Sequence, residues 1–171
     1  MNKRTIIHAA TLSVLFALTI LPARADDYSW NTSGADMYFD EAANWSPVGG
    51  PPGAADRARF EDFSTTYTVH FRSNPTTDRA NVDIGDLSDT VTWLGSESTD
   101  YTYSLTRDDG LNRGLQVGNG HLRIEDLTVD VTDRVYVGAS PSAARLSIGS
   151  GGMLRCKTLS LGKGSGAATV S

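Results

Sequence analysis

Three short segments of the sequence decide its fold: Leu115-Gln-Val-Gly118, Val135-Tyr-Val-Gly138 and Leu159-Ser-Leu-Gly162. Each places a polar residue between two apolar ones and ends in glycine. Such alternation is typical of a β-strand with one buried face. Self-similarity that recurs every roughly 20–50 residues is typical of a solenoid, in which each repeat forms one turn of a stack. We therefore interpret the three segments as successive rungs of a β-solenoid.

A second strand follows each rung after a loop. It contains two apolar residues, in Leu122-Arg-Ile124, Leu146-Ser-Ile148 and Ala168-Thr-Val170. Alignment on the first residue of each places Leu122 opposite Leu146, and Leu146 opposite Ala168. Leu127–Val131 and Leu154–Cys156 alternate in the same way. We expect two or three short strands, separated by tight turns, to make one coil.

Strand periodicity predicts which side chains fill the interior. The inward set of the first unit is Leu115, Val117, Leu122, Ile124, Leu127, Val129, Val131, Val135 and Val137. The inward set of the second unit is Leu146, Ile148, Leu154, Cys156, Leu159 and Leu161. Arg123, Thr128, Asp130 and Tyr136 are expected to point outward. Corner positions that need glycine are expected at Gly149, Gly151, Gly152, Gly162, Gly164 and Gly166.

Earlier segments show the same alternation. Ala80–Gly85 and Thr90–Gly95 each end in glycine, as the later rungs do, and are candidates for the first coil. Tyr67–Phe71 is predicted to be a strand with Tyr67, Val69 and Phe71 on one face. Arg107–Gly110 is predicted to be a turn. The predicted fold class is all-β, a right-handed parallel β-helix, the right hand being the default for parallel crossovers.

The N-terminal segment, residues 1–25, is predicted to be an export signal. Lys3 and Arg4 precede a mostly apolar run from Ile6 to Leu21, and Ala23-Arg-Ala25 is typical of a cleavage site, so we expect a signal-peptide helix that is removed before Asp26. The apolar run is shorter than the roughly 20 residues that a membrane-spanning helix needs. The mature chain is therefore predicted to be exported, with no membrane span.

Removal of this segment takes away three basic residues and no acidic one, so the net charge moves from −5 to −8. An acidic chain disfavours nucleic acid or an anionic membrane as a partner. There is one cysteine, Cys156, so no internal disulfide can form. Two interpretations of Cys156 stay open: a small apolar residue of the interior, or a thiol that pairs with another molecule.

Aromatic residues divide the mature chain. All three tryptophans (Trp30, Trp45 and Trp93) precede residue 95, whereas Tyr136 is the single aromatic from Leu115 onward. Because the first glycine-ended alternating segment begins at Ala80, we divide the mature chain into an aromatic N-terminal region, residues 26–79, and solenoid repeats, residues 80–171.

The residues of the aromatic region resemble a known kind of protein. Trp30-Asn31, Phe39-Asp40, Ala43-Asn-Trp-Ser46, Pro51 to Asp56, Phe60 and the Tyr67–Phe71 strand occur in an order similar to the N-terminal region of secreted bacterial repeat proteins of the autotransporter-associated and PEP-CTERM-associated type. The resemblance implies that this region caps the first coil. A physical reason supports a cap, because an open solenoid end exposes apolar interior and unpaired strand edges.

Residues 138–171 resemble one repeat of the same family followed by the start of another. Ala168–Ser171 begins a strand whose unit is not completed, which predicts that the chain is truncated at its C-terminus and that further repeats of its own full-length chain follow. Related proteins carry a C-terminal anchor. The implied function is that of a non-enzymatic, adhesin-like structural protein of the cell surface or the extracellular space.

Two further functions stay open. One is a carbohydrate-binding module for extracellular polysaccharide or cell-surface components, with Trp30, Tyr38 and Trp45 exposed to stack on sugar rings. The other is a carbohydrate-active lyase or hydrolase, with at least two of Glu125, Asp126, Asp130 and Asp133 converging on one groove for acid and base catalysis. We predict no metal and no cofactor. Asn44 and Asp56, the only metal-ligand candidates near the tryptophans, are more typical of residues that fix turns.

Overall fold

The computed structural model describes residues 25–31, 37–61, 66–96, 100–108, 113–138, 143–162 and 168–171. Apart from Ala25, the predicted signal peptide lies outside these residues. So do Asp109 and Gly110 of the predicted turn, and Gly164 and Gly166 of the predicted corners.

The described residues form fourteen strands and one short 3-10 helix, Ala42–Asn44. The strands are β1 (Asp27–Trp30), β2 (Met37–Tyr38), β3 (Trp45–Ser46), β4 (Arg57–Glu61), β5 (Tyr67–Phe71), β6 (Thr76–Thr77), β7 (Arg79–Asp83), β8 (Thr90–Gly95), β9 (Thr102–Leu105), β10 (Leu115–Glu125), β11 (Thr128–Val137), β12 (Ala144–Ile148), β13 (Met153–Leu161) and β14 (Ala168–Val170).

These strands pair in three parallel ladders. Ladder 1 joins β1, β4, β7, β10, β11 and β13. One in-register row along it is Tyr28, Ala58, Ala80, Leu115, Val135 and Leu159. Leu115 and Val117 lie opposite Val135 and Val137, which in turn lie opposite Leu159 and Leu161. The alignment of the three glycine-ended segments is therefore confirmed.

Ladder 2 joins β2, β5, β8, β10, β12 and β14. One row along it is Met37, Val69, Trp93, Ile124 and Ile148. The predicted alignment of the last two strands is wrong, because Leu146 lies opposite Val170 and not opposite Ala168. A shift of two positions keeps the same side chains inward, so the apolar pattern alone does not distinguish the two registers.

Ladder 3 joins β6, β9 and the N-terminal halves of β11 and β13. Its central row is Thr77, Leu105, Val131 and Cys156. Each of β10, β11 and β13 therefore belongs to two ladders. In β10 the change of ladder occurs at a bulge after Val117, and Gly120 follows with a φ of +79°. A Cβ at Gly120 would lie 2.5 Å from the Ile84 carbonyl oxygen. The sequence predicts separate short strands here, whereas a glycine bulge turns one long strand around the corner.

The chain is therefore all-β, as predicted, with a curled and mostly parallel sheet. Among the described strands, the antiparallel pair is β1 with β3. The predicted boundary between residues 79 and 80 falls inside β7, and strands of the two regions pair, β4 with β7 and β5 with β8. The ladders continue across this boundary. That residues 26–79 and 80–171 are two distinct regions stays a prediction.

The predicted interior of the first unit is confirmed, because all nine inward side chains are at most 2% exposed. Thr128, Asp130 and Tyr136 are half-buried and Arg123 is exposed, as expected of outward positions. In the second unit Leu146 is buried, whereas Leu159 and Leu161 are 44% and 53% exposed. Both face the same side as Leu115, but β13 pairs with β11 on one edge and with no described strand on the other.

Aromatic side chains fill the interior of the first coils. Trp30, Phe39, Trp45, Phe60, Phe71, Trp93 and Tyr103 are at most 2% exposed. Their rings are in contact: centroids lie 5.1 Å apart for Trp30 and Trp45, and 5.2 Å apart for Phe60 and Trp93. The interior therefore changes from aromatic to aliphatic along the stack, which is the structural counterpart of the change in composition.

Candidate functional site

The tryptophans proposed for sugar stacking are in the core. Trp30 is 2% exposed and Trp45 is not exposed at all, and the Trp45 indole donates a hydrogen bond of 2.7 Å to the Phe39 carbonyl. Neither indole face is available to a sugar. Tyr38 is half-buried, with its ring covered by the Arg72 guanidinium at 3.9 Å and by the His70 ring at 5.6 Å. The three residues proposed as a binding platform therefore do not form one.

The four candidate catalytic carboxylates lie at different places around the coil. Glu125 ends the ladder 2 part of β10 and pairs with Arg123. Asp126 forms the following corner with a φ of 46°, Asp130 lies on ladder 3 opposite Arg155, and Asp133 is buried at the next corner. The Asp133 Oδ2 atom has no hydrogen-bond partner among the described residues. The structure does not bring all four carboxylates to one place. Glu125 and Asp126 both lie against the Gly149–Gly151 turn, and a catalytic role for them stays a prediction.

The two residues considered as metal ligands bond the backbone: Asp56 closes a turn, and Asn44 bonds a carbonyl six residues away. Asp56 accepts hydrogen bonds from the Gly53 and Asp26 backbone N–H groups at 2.8 and 3.0 Å. Asn44 donates to the Tyr38 carbonyl at 2.9 Å. Within the described ranges, no group of three or more His, Cys, Asp or Glu side chains is arranged to hold a metal ion.

A polar groove lies on the outer face of ladder 2. Its volume is about 290 Å³. It is lined by His121 and Arg123 of β10, by Arg145, Ser147 and Ile148 of β12, and by Gly149 and Ser171. We call it the outer groove. Three of its side chains are of basic residues, and the Glu125 carboxylate lies beside it, against Arg123 and Gly149.

The parallel register creates this grouping. His121 lies opposite Arg145, and Arg123 lies opposite Ser147. Neighbouring strands are about 4.8 Å apart, and alternate residues of one strand, about 6.6 Å apart, share a face. These four side chains therefore occupy the corners of one small rectangle on the outer surface.

His121 is held by hydrogen bonds on both sides. Its Nε2 is 2.5 Å from the Ser147 hydroxyl and its Nδ1 is 3.4 Å from the Thr90 hydroxyl. Burial lowers the pKa of His121 below its ordinary value of 6.5, and the charges of Arg145 and Arg123 lower that pKa further. The imidazole is therefore neutral at pH 7 and presents one N–H donor and one acceptor.

The two arginines of the outer groove differ in their partners. Arg123 is paired with Glu125, whereas Arg145 is exposed and forms no ion pair with any residue that the structure describes. Elsewhere on the surface several arginines are paired: Arg57 with Asp27 at 3.1 Å, and Arg107 with Asp78 at 2.7 Å. Among the described residues of the outer groove, Arg145 is thus the side chain whose positive charge is not balanced by an ion pair.

Sequence reasoning did not identify the outer groove. The alignment of Leu122 with Leu146 already contained the signal, since it places His121 opposite Arg145 and Arg123 opposite Ser147. The residues typical of sugar chemistry, carboxylates and aromatics, are not the residues that line the outer groove.

Cys156 is a free thiol and is half-buried. Burial raises the pKa of the Cys156 thiol, so the less reactive thiol form predominates at neutral pH. This environment is consistent with the interpretation of Cys156 as a small interior residue.

The fold is that of an all-β protein with a curled, mostly parallel sheet, and the outer groove is a polar feature of its surface. In the part of the chain that the structure describes, no helix is long and apolar enough to cross a bilayer. No protein-family model, no curated protein and no solved structure matches the chain.

Proposed function

We propose that this protein is an exported, non-enzymatic structural protein of the cell surface or extracellular space, built as a right-handed parallel β-helix with an N-terminal aromatic cap. The observation on which the proposal chiefly rests is the set of three in-register ladders around one apolar interior. Such a stack is a rigid rod whose outer face is free to vary, which suits a stalk or display scaffold.

Strand pairing supports a helical path of the chain. Within a single turn the chain passes from ladder 1 through ladder 2 to ladder 3, as in β7, β8 and β9, and then returns to ladder 1 one rung further along. The next turn runs through β10 and the first half of β11 in the same order. A right-handed path is the default for parallel crossovers.

The segment from Met37 to Ser46 supports the cap. Within it, β3 pairs antiparallel with the outer edge of β1, so the first edge of ladder 1 is covered. Phe39 and Trp45 are fully buried and pack edge to face, with ring centroids 5.0 Å apart. A covered edge and a filled interior are what a solenoid end needs to resist aggregation.

The leader-like sequence supports export. We expect the chain, expressed with residues 1–25 in a Gram-negative bacterium, to be recovered outside the cytosol with Asp26 as its first residue, as measured by intact mass and N-terminal sequencing. A matched variant with Leu15→Arg and Leu18→Arg interrupts the apolar run and is expected to stay unprocessed. A wild-type chain that remains full length in the cytosol would contradict the proposal.

A further inference from the structure

We propose that the outer groove binds an oxyanion, either a carboxylate or a sulfate group, borne by an acidic polysaccharide. The groove brings together three side chains that can donate hydrogen bonds to one oxyanion, Arg123, Arg145 and Ser147, from two adjacent strands. Their arrangement follows from the register of β10 with β12, so the site depends on the ladder and not on a flexible loop.

The chemistry of these side chains favours an anion. Arg123 and Arg145 each present a fork of N–H donors, and such forks match the geometry of carboxylate and sulfate oxygens. The Ser147 hydroxyl adds a third donor when the His121 Nε2, 2.5 Å away, donates its own hydrogen to the serine oxygen. Arg145 has no ion-pair partner among the described residues, so its charge is available to a ligand.

The surroundings favour a polysaccharide over a compact ion. Rows of outward hydroxyl groups run along ladder 2 towards the groove: Thr68 and Thr92 lie in register with Arg123 and Ser147, and Thr90 lies in register with His121. An extended ligand with many hydroxyl groups can follow these rows. This row of threonines continues the site along the stack.

Charge argues against nucleic acid. Nucleic-acid binding depends on many phosphate contacts by Lys and Arg, whereas this chain has a net charge of −5. A hydroxyl-rich polymer can place one of its anionic groups in this groove without phosphate-like contacts along the rest of the acidic surface. The inference concerns this surface alone and holds whether or not the protein is a surface scaffold.

The test measures binding of the full chain to three polymers by calorimetry at about 20 mM salt, where surface electrostatics are weakly screened. The polymers are polygalacturonate, which carries carboxylates, dextran sulfate, which carries sulfates, and neutral dextran. We expect binding to at least one anionic polymer and none to dextran, and the anionic polymer that binds more tightly identifies the group. Equal binding to neutral dextran, or no binding to either anionic polymer, would overturn the proposal.

Variants locate the site. Arg145→Gln is expected to weaken binding at least tenfold, and Ser147→Ala about threefold, which correspond to the loss of one charged and one neutral hydrogen bond. Arg155→Gln, on ladder 3, removes the same charge from an exposed position outside the groove and is expected to change the affinity less than twofold. Equal weakening by Arg145→Gln and Arg155→Gln would show attraction by overall charge and would overturn the site. Circular dichroism of each variant establishes that it is folded.

Discussion

Trp93 lies at the centre of the aromatic interior. It is fully buried between Val69 and Ile124 of ladder 2, and its ring centroid is 5.3 Å from that of Tyr103. Its position explains how the aromatic and aliphatic parts of the interior are joined, since it contacts the rings of the first coils and stacks on the aliphatic row of the later ones.

We expect Trp93→Ala to lower the free energy of unfolding by about 3–5 kcal/mol, because removal of a buried indole leaves a cavity that a stacked sheet cannot close. The measurement is urea unfolding followed by circular dichroism. Val48→Ala, at an 88% exposed position, is the control and is expected to change stability by less than about 0.5 kcal/mol. A Trp93→Ala variant as stable as the control would contradict the packed aromatic interior.

His121 links stability to pH. Its pKa is lowered in the folded state by burial and by the facing charges of Arg145 and Arg123, while Glu125 lies on the same strand face beyond Arg123. The folded state therefore binds a proton at this site less readily than the unfolded chain. The corresponding stability is fully present above pH 6.5, the ordinary pKa, and is lost as the pH falls below it through the folded pKa.

We expect the urea concentration at the unfolding midpoint of wild type to decrease as the pH is lowered from about 7.5 to about 5.5. We expect the decrease to be smaller in His121→Gln, because glutamine does not titrate. His70→Gln, at the other described histidine of the same sheet face, is the matched control. An identical pH dependence in wild type and His121→Gln would show that His121 does not contribute.

At the scale of single elements, β10 decides how the sheet curls. Its bulge and Gly120 carry the strand from ladder 1 to ladder 2. We expect Gly120→Ala to lower the free energy of unfolding by about 2 kcal/mol or more, since a side chain disfavours this φ by roughly 1–2 kcal/mol and the added Cβ would crowd the Ile84 carbonyl. Denaturant unfolding measures the loss.

The control for this variant is Gly53→Ala. Gly53 has no positive φ, and a Cβ there would meet its nearest atom at 3.5 Å, an ordinary contact. We expect it to be within about 0.5 kcal/mol of wild type. If Gly120→Ala were equally mild, the bulge would not be a required corner.

Much of the ladder was predictable from the sequence, and the reasons are physical. Period-two alternation fixed the inward side chains from Leu115 to Val137, and the shared glycine fixed the register of the three rungs. The corner at Gly120 was not predictable, because a bulge in a continuous strand leaves the same apolar pattern as two short strands. Burial of Trp30 and Trp45 also depended on which rings the coil encloses, and composition does not specify this.

The residues of the outer groove could not be grouped from the sequence for a different reason. Its residues come from β10 and β12, which are distant in sequence, so their proximity follows only after the register of ladder 2 is known. Arg145 has no sequence motif of its own. The carboxylates, by contrast, are close in sequence from Glu125 to Asp133, yet the coil turns two corners between them and places Asp130 and Asp133 on other parts of the coil than Glu125.

At the scale of the whole molecule, the question is whether the aromatic and aliphatic parts unfold together. All three tryptophans lie before residue 95, so their fluorescence reports on the first coils and, through Trp93, on the contact of these coils with Ile124 of β10. Leu146, on β12, is fully buried in the aliphatic part. Because the ladders continue across residue 80, a change at Leu146 is expected to reach the first coils through nearest-neighbour contacts.

We expect Leu146→Ala to lower the unfolding midpoint by the same amount whether it is followed by tryptophan fluorescence or by far-ultraviolet circular dichroism. Leu87→Ala, at a 38% exposed turn position, is the control with little effect. A lower midpoint by circular dichroism with an unchanged fluorescence midpoint would mean that the coils that contain the tryptophans unfold separately from the later coils.

The central claim is that the rungs at Leu115, Val135 and Leu159 stack in register, and cysteine cross-linking tests it most directly. In a Cys156→Ala background, Gln116→Cys with Tyr136→Cys places two outward thiols on directly opposed residues. Opposed residues of parallel strands are about 4.8 Å apart, within the Cα range of a disulfide. Tyr136→Cys with Ser160→Cys repeats the test one rung further along.

The control pair is Gln116→Cys with Arg134→Cys, two positions out of register and beyond the roughly 7 Å limit of a disulfide. We expect rapid intramolecular cross-linking of both in-register pairs on mild oxidation, measured by peptide mapping, and little of the control pair. Cross-linking of the control pair at the same rate as the in-register pairs, or of none of the three, would contradict the stacked ladder.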